Sequence, residues 1–297
     1  MSVATPPRHA PAGRAGGAPI AGAFPPRELL ITVLGAYLRR LDGWISVAGL
    51  IRLMGELGVD EQSVRSALMR FKRRGLVLAE RRNRAAGYRL SESGLRLIEQ
   101  GDARIYARPQ AAQLEDGWVL VVFSVPDTKR ADRHVLRSQL SWLGFGNLSS
   151  AVWLAPWNVE PEARETLQRL GLDDYVNLFR AHYAAFGTPR ELVRQCWNLE
   201  ELRARYAEFE QAASPLMGRW PQGSSPAGAE ALVDHVAILT LWRPLPFLDA
   251  GLPVQALPSD WPGLRAWETF HRLIELLEAP AVAHARAIVE GSGEAAR

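Results

Sequence analysis

From Arg27 onward the chain opens as a run of helical stripes. Leu29, Leu30, Val33, Leu34, Tyr37, Leu38 and Leu41 recur at three-to-four spacing, which predicts a helix that Asp42-Gly43 ends in a turn. After Trp44-Ile45, the positions Val47, Leu50, Ile51, Met54 and Leu57 trace a second stripe, closed by Gly58 as a C-terminal cap. Asp60 is a good N-cap for a third helix, whose inward stripe is Val64, Ala67, Leu68 and Phe71 and whose stop is Gly75. The period then shortens. Leu76–Glu80 reads as a strand, Arg81-Arg82-Asn83-Arg84 as a turn and Gly87–Leu90 as the returning strand of a hairpin. Three helices followed by a hairpin with an arginine-rich tip is the order expected of a winged helix-turn-helix. A connecting helix follows from Ser91-Glu92 through Leu95, Leu97 and Ile98 toward Ile105-Tyr106. Arg108-Pro109 then opens a polar stretch to Asp116 that marks a domain boundary.

Trp118–Phe123 is a continuous β-prone run, as expected of a strand buried on both faces. A helix with Val135, Leu136, Leu140 and Leu143 inward follows, then a second strand over about 148–155, a helix over 161–170 and a third strand at 176–179. That alternation predicts a small ferredoxin-like α/β unit. From Thr188 the pattern is helical again, over roughly 189–212, 228–242 and 264–290. A proline- and glycine-rich gap near 215–228 and a loop from Arg243 to Gly263, with Pro244, Pro246, Pro253, Pro258 and Pro262, separate these segments. The expected fold class is therefore α+β. A winged helix-turn-helix with its connecting helix occupies 27–108, a ferredoxin-like domain 117–187 and an α-rich C-terminal domain 188–297. Residues 1–26 hold seven Ala, six Pro and four Gly, and read as an unstructured leader with little to bury.

Composition narrows the function classes. Apolar runs such as Leu29–Leu34 and Trp118–Phe123 fall short of the roughly 20 residues of a membrane span, so a cytoplasmic protein without a membrane partner is expected. The single cysteine, Cys196, excludes an internal disulfide framework and any zinc site built on paired thiolates. Charge is distributed unevenly under a formal net of +3. Residues 27–108 carry sixteen Lys and Arg against nine Asp and Glu, whereas residues 109–297 are net acidic. A cationic block on an acidic remainder suggests a polyanion-binding module joined to a part with a different role.

The third helix supplies the chemistry. At 100° per residue, the face opposite Val64 carries Gln62, Ser66, Met69 and Arg73, with Arg65 and Arg70 on its flanks. A helix that enters the major groove must offer such side chains to base edges, where Arg reads guanine and Gln reads adenine. Arg81, Arg82 and Arg84 at the hairpin tip can meet phosphates or the minor groove. The expected DNA-binding set is these nine residues. No catalytic or metal-binding residues and no cofactor are expected. His9, His134, His182, His235, His271 and His284 show no paired metal spacing, Cys196 sits in an apolar helical pattern, and neither a phosphate loop nor a Rossmann fingerprint is present.

Three blocks in order resemble the PaaX regulators of phenylacetate catabolism, over nearly the whole chain from Arg27 to about Leu277. The first comprises Leu50-Ile51-Arg52-Leu53, Val64-Arg65-Ser66-Ala67 and Tyr88-Arg89-Leu90-Ser91-Glu92-Ser93-Gly94. The second is Cys196-Trp197-Asn198-Leu199, with Asn where the family commonly has Asp. The third is Phe247-Leu248-Asp249-Ala250-Gly251-Leu252-Pro253 with Leu257-Pro258-Ser259-Asp260-Trp261-Pro262-Gly263, where Ala250 replaces a usual Pro. The resemblance implies a homodimeric transcriptional repressor on a pseudo-palindromic double-stranded operator, released by an aryl-acyl-CoA effector such as phenylacetyl-CoA. Another acyl-CoA, a free aromatic acid, or activation in place of repression remains compatible with the same residues. Trp242, Arg243, Trp261 and Arg265 flank the proline-rich loop and are candidates to meet an aromatic acyl group or a CoA phosphate.

The central segment also resembles the ferredoxin-like nucleases of CRISPR adaptation, in which the first strand delivers a metal-binding Asp. Here Ser124 holds that position, and a neutral hydroxyl is a poor Mg²⁺ ligand. Asp127 lies nearby in a turn.

Overall fold

The computed structural model describes residues 24–184 and 186–294. The expected leader lies outside the described residues up to position 23. In chain order the elements are α1 (Pro26–Tyr37), β1 (Trp44–Ser46), α2 (Val47–Glu56), α3 (Glu61–Arg73), β2 (Val77–Arg82), β3 (Ala85–Leu90) and α4 (Glu92–Ile105). Next come β4 (Trp118–Phe123), α5 (Arg130–Trp142), β5 (Gly146–Ser149), β6 (Val152–Pro156), α6 (Glu160–Arg169) and β7 (Val176–Ala181). The chain ends in α7 (Pro189–Cys196), α8 (Leu199–Arg219), α9 (Gly228–Trp242), the short α10 (Leu245–Leu248) and α11 (Gly263–Glu294). The fold is α+β, with one three-stranded and one four-stranded sheet among the described residues.

Two compact units divide the chain. One takes the described residues up to 107 with 209–243 and 268 onward, the other 108–208 with 244–267. In the first unit the small sheet runs β1-β3-β2, all antiparallel, so the hairpin strands sit beside a strand preceding α2. The dipeptide Trp44-Ile45, given no element by its sequence pattern, becomes an edge strand paired with Arg89 and Tyr88. Side-chain caps start α2, α3 and α4: Ser46 accepts from Gly49 N, Asp60 from Ser63 N and Ser91 from Gly94 N. Leu29, Leu30, Val33 and Tyr37 of α1 join Leu50, Leu53 and Met54 of α2 and Val64, Leu68 and Phe71 of α3 in one apolar core. Leu232, Val236 and Ala237 of α9 and Ala281 and Ala285 of α11 complete that core.

Helix α9 is buried nearly all round, at ten of its fifteen residues. It explains why Gly228–Leu248 is, among the described residues, long and apolar enough to cross a membrane by length and composition: that apolarity is spent inside the core. A polar seam joins α9 to α1. Thr32 Oγ1 and Thr240 Oγ1 lie 2.9 Å apart, and Tyr37 Oη lies 2.6 Å from His235 Nδ1. Burial pushes the wholly enclosed His235 down to about 3, with Arg40 adding to the effect, so the ring is neutral and Tyr37 donates to it.

In the second unit the sheet order is β5-β6-β4-β7, with every neighbouring pair antiparallel. With α5 between β4 and β5, and α6 between β6 and β7, this is the ferredoxin-like arrangement. The stretch expected as one strand over 148–155 is instead the hairpin β5–β6, reversed at Ser150-Ala151 and bulged between Asn147 and Ser149. Val119, Val121 and Phe123 of β4 face Leu136, Leu140, Ala163 and Leu167, while Trp118 and Leu154 face Leu192, Val193, Trp197, Leu252 and Leu257. The helix expected over 189–212 breaks at Trp197-Asn198, where Asn198 Oδ1 accepts from Glu201 N, and α8 continues through Pro215 to Arg219.

Candidate nucleic-acid interface

Helix α3 is anchored at both ends and along one side. Hydrogen bonds from Ser63 to Asp60 fix its start and hold that carboxyl below the usual range. Arg70, Lys72 and Arg73 in its last turn suit the negative end of the helix dipole. Val64, Ala67, Leu68 and Phe71 are buried, which rotates Gln62, Arg65, Ser66, Met69, Arg70 and Arg73 outward, and all six are exposed. Met69 is a large apolar side chain left half in solvent, at 50% exposure. Arg65 is tied to Glu61 at 2.6 Å, one turn earlier. The side chains of Gln62, Arg70 and Arg73 make no hydrogen bond or ion pair to another described residue, so their donors face water. Lys72 and Arg74 extend the same cationic surface.

The hairpin differs from the sequence expectation in its tip. Strand β2 runs through Arg82, so Arg81 and Arg82 are strand residues paired with Ala86 and Ala85, and the turn itself is Asn83-Arg84. Both turn residues take positive φ, 47° and 68°, the geometry of a tight two-residue hairpin turn, which Asn tolerates and Arg adopts at some cost. Arg81 Nη2 donates to the carbonyl of Arg84 at 2.8 Å, bracing the turn. Arg82 is held more firmly. Its Nε lies 2.5 Å from Glu80 Oε1 and its guanidinium carbon 5.5 Å from the centroid of the Trp44 ring. Glu80 Oε2 also pairs with Arg89 Nε at 2.9 Å. Trp44, Glu80 and Arg89 escaped the sequence reading, although the two-residue period of the strands places Glu80, Arg82 and Arg89 on one face.

The four candidates around the proline-rich loop part company. Trp242, 1% exposed, stacks on Phe270 at 4.7 Å and donates to the carbonyl of Ile105 at 2.8 Å. Trp261 donates to Asp249 Oδ2 at 3.0 Å, and the same oxygen accepts from Tyr206 at 2.9 Å. Arg243 is half-buried at the end of α9, where loss of water holds its guanidinium below its ordinary value. Arg265, in the first turn of α11, is exposed. The structure therefore commits Trp242 to the core, while the half-buried Trp261 is held by Asp249. In the second unit Ser124 follows β4, and Asp127 pairs with Arg133 at 3.1 Å.

A cationic helix-and-hairpin block, a ferredoxin-like sheet unit and helical C-terminal segments follow one another along the chain. Three family models match in that order: "PaaX-like protein" over 26–94, "PaaX protein central Cas2-like domain" over 111–193 and "PaaX-like protein C-terminal domain" over 197–287. The chain belongs to the PaaX family. It is 30% identical over 243 residues to the transcriptional repressor PaaX of Escherichia coli (strain K12), which covers 80% of this chain and 75% of that protein. Among solved structures it is similar in fold to the uncharacterized protein Rv0674 of Mycobacterium tuberculosis. The TM-score is 0.53 at 24% identity, over 87% of this chain and 97% of that one.

Proposed function

We propose that the chain is a cytoplasmic, homodimeric, DNA-binding repressor of an aromatic-acid catabolic operon, that of phenylacetate, and that an aryl-acyl-CoA such as phenylacetyl-CoA releases it. Family membership and the repressor named above support regulation over catalysis. The observation that carries DNA binding is the outward face of α3. There Gln62, Ser66, Met69, Arg70 and Arg73 stand exposed on a helix locked to the core by its opposite side, beside a hairpin with arginines at its tip. Release follows from a population shift: an effector that binds a dimer geometry in which two recognition helices no longer match successive major grooves weakens operator binding. Linkage requires the operator to weaken effector binding by the same factor.

The test is a fluorescence-anisotropy titration on DNA upstream of the chain's own operon, with phenylacetyl-CoA and with phenylacetate as control. Sequence-specific binding abolished by the CoA ester alone is the expected result. Binding indifferent to both compounds refutes the assigned effector, and absence of specific binding refutes the regulator. Arg73→Ala should cost about 1–3 kcal/mol at the operator and relax preference at one position. Arg84→Ala should weaken all sequences alike and reduce the salt slope by about 0.9.

A further inference from the structure

On the solvent face of the small sheet, Trp44, Glu80, Arg82, Gly87 and Arg89 form one cluster. Registers Trp44↔Arg89, Ser46↔Gly87 and Glu80↔Gly87 put these side chains on the face opposite Ile45, Val77 and Tyr88, which join the core. Gly87 is what lets the cluster form. A Cβ there would stand 2.3 Å from Trp44 Cζ2 and 2.5 Å from the carbonyl of Ile45, so only glycine admits the indole across the sheet. Trp44 Nε1 donates to the carbonyl of Glu80 at 3.2 Å, fixing the ring as a platform under Arg82. The Glu80 carboxylate divides itself between Arg82 and Arg89, one oxygen each. Arg82 Nη1 reaches the carbonyl of Asp42 at 3.4 Å and Arg89 Nη1 that of Leu90 at 3.2 Å. Both arginine side chains remain substantially exposed, at 42% and 45%.

A lone acidic residue among wing arginines is costly for a surface that meets DNA, because it cancels one of two positive charges. Its geometry compensates, since it orders two long side chains that would otherwise lose their rotamer freedom on binding. We propose that Glu80 is a positioning residue of the wing, holding Arg82 and Arg89 at fixed spacing as a paired grip on the phosphodiester backbone, and that Arg89 is a DNA-contacting residue of this interface. The assignment rests on the DNA-binding reading and goes beyond it in naming the residues that set the wing's grip.

The sign of one substitution separates positioning from simple charge. If Glu80 acts only through its charge, Glu80→Gln removes a repulsion and tightens binding to any duplex. If it positions the arginines, Glu80→Gln loosens binding. The measurement is the affinity of the full chain for a random-sequence duplex of about 30 base pairs as a function of salt. Arg89→Gln should weaken binding about threefold or more at low salt and lower the slope of log affinity on log salt by about 0.9, one phosphate contact. Glu80→Gln should weaken binding about threefold, and Glu80→Asp should recover part of the loss. In an Arg82→Gln/Arg89→Gln background, adding Glu80→Gln should tighten binding, since nothing is left to position. Thermal unfolding of each variant confirms folding, and Arg89→Gln, altering an exposed end, keeps the test valid if Glu80→Gln does not fold. Tighter binding by Glu80→Gln, or an unchanged slope for Arg89→Gln, overturns the assignment alone. A wild-type chain that binds no duplex overturns the DNA reading and this with it.

Discussion

Acidification from pH 7.5 to 5 should destabilise this protein through His235 in particular. The ring is enclosed completely, accepts a hydrogen bond from Tyr37 at 2.6 Å and is pushed down to about 3 by loss of water, with Arg40 opposing its charge as well. In the unfolded chain the same imidazole titrates near 6.5. A histidine with a lowered folded value is neutral when folded and takes up a proton when unfolded, so stability is complete above about pH 6.5. It declines as pH falls toward about 3, below which both states are protonated. At pH 5 the unfolded state gains RT ln(1 + 10^1.5), about 2 kcal/mol, a sizeable share of a domain's net stability. The assay is urea unfolding at pH 7.5, 6 and 5 for the wild type and His235→Gln, whose side-chain carbonyl accepts from Tyr37 and does not titrate. All other groups titrate alike in both proteins, so the difference between their pH profiles isolates His235. The wild type should lose about 2 kcal/mol more than the variant over that range. Parallel profiles would refute the buried neutral histidine.

Two further outcomes follow from packing. Trp242→Phe strands the carbonyl of Ile105 and thins the stack on Phe270, and should cost about 2 kcal/mol or more, read as a fall of several degrees in Tm. Burial pushes the Cys196 thiol up to about 11, so its alkylation by iodoacetamide should be slow at pH 8 and rise about tenfold per pH unit to pH 10. An unperturbed thiol would level off above about pH 9.

Helices α2, α3 and α4 are legible because each starts at a serine or aspartate cap and carries an apolar stripe: the four residues expected to face inward from α3 are the four that do. The sequence pattern starts the hairpin turn at Arg81, two residues before Asn83, because a run of arginines carries no two-residue period, whereas pairing Arg82 with Ala85 lengthens both strands. Leu148 to Ala155 read as one strand because a two-residue reversal at Ser150-Ala151 has no glycine or proline to announce it. The candidate interface was legible on α3 by helical angle alone. Trp44 was not, because its part comes from cross-strand neighbours 36 and more positions distant along the chain, and the part of Glu80 depends on the pairing that brings Arg89 to it across the sheet. The destination of α9 was equally hidden: a helix apolar on all sides says that it is buried and nothing about which partner buries it.

That partner sets a limit on exchange between relatives. The segment matching the N-terminal family model ends at residue 94, yet its first helix completes its packing with residues from beyond position 230. Cutting the chain after α4 would strip Leu232, Val236, Ala237, Ala281 and Ala285 from one core and remove the Thr240 and His235 partners of Thr32 and Tyr37. The N-terminal block is therefore not a portable cassette. A chimera that transplants it must carry α9 and the last half of α11 with it.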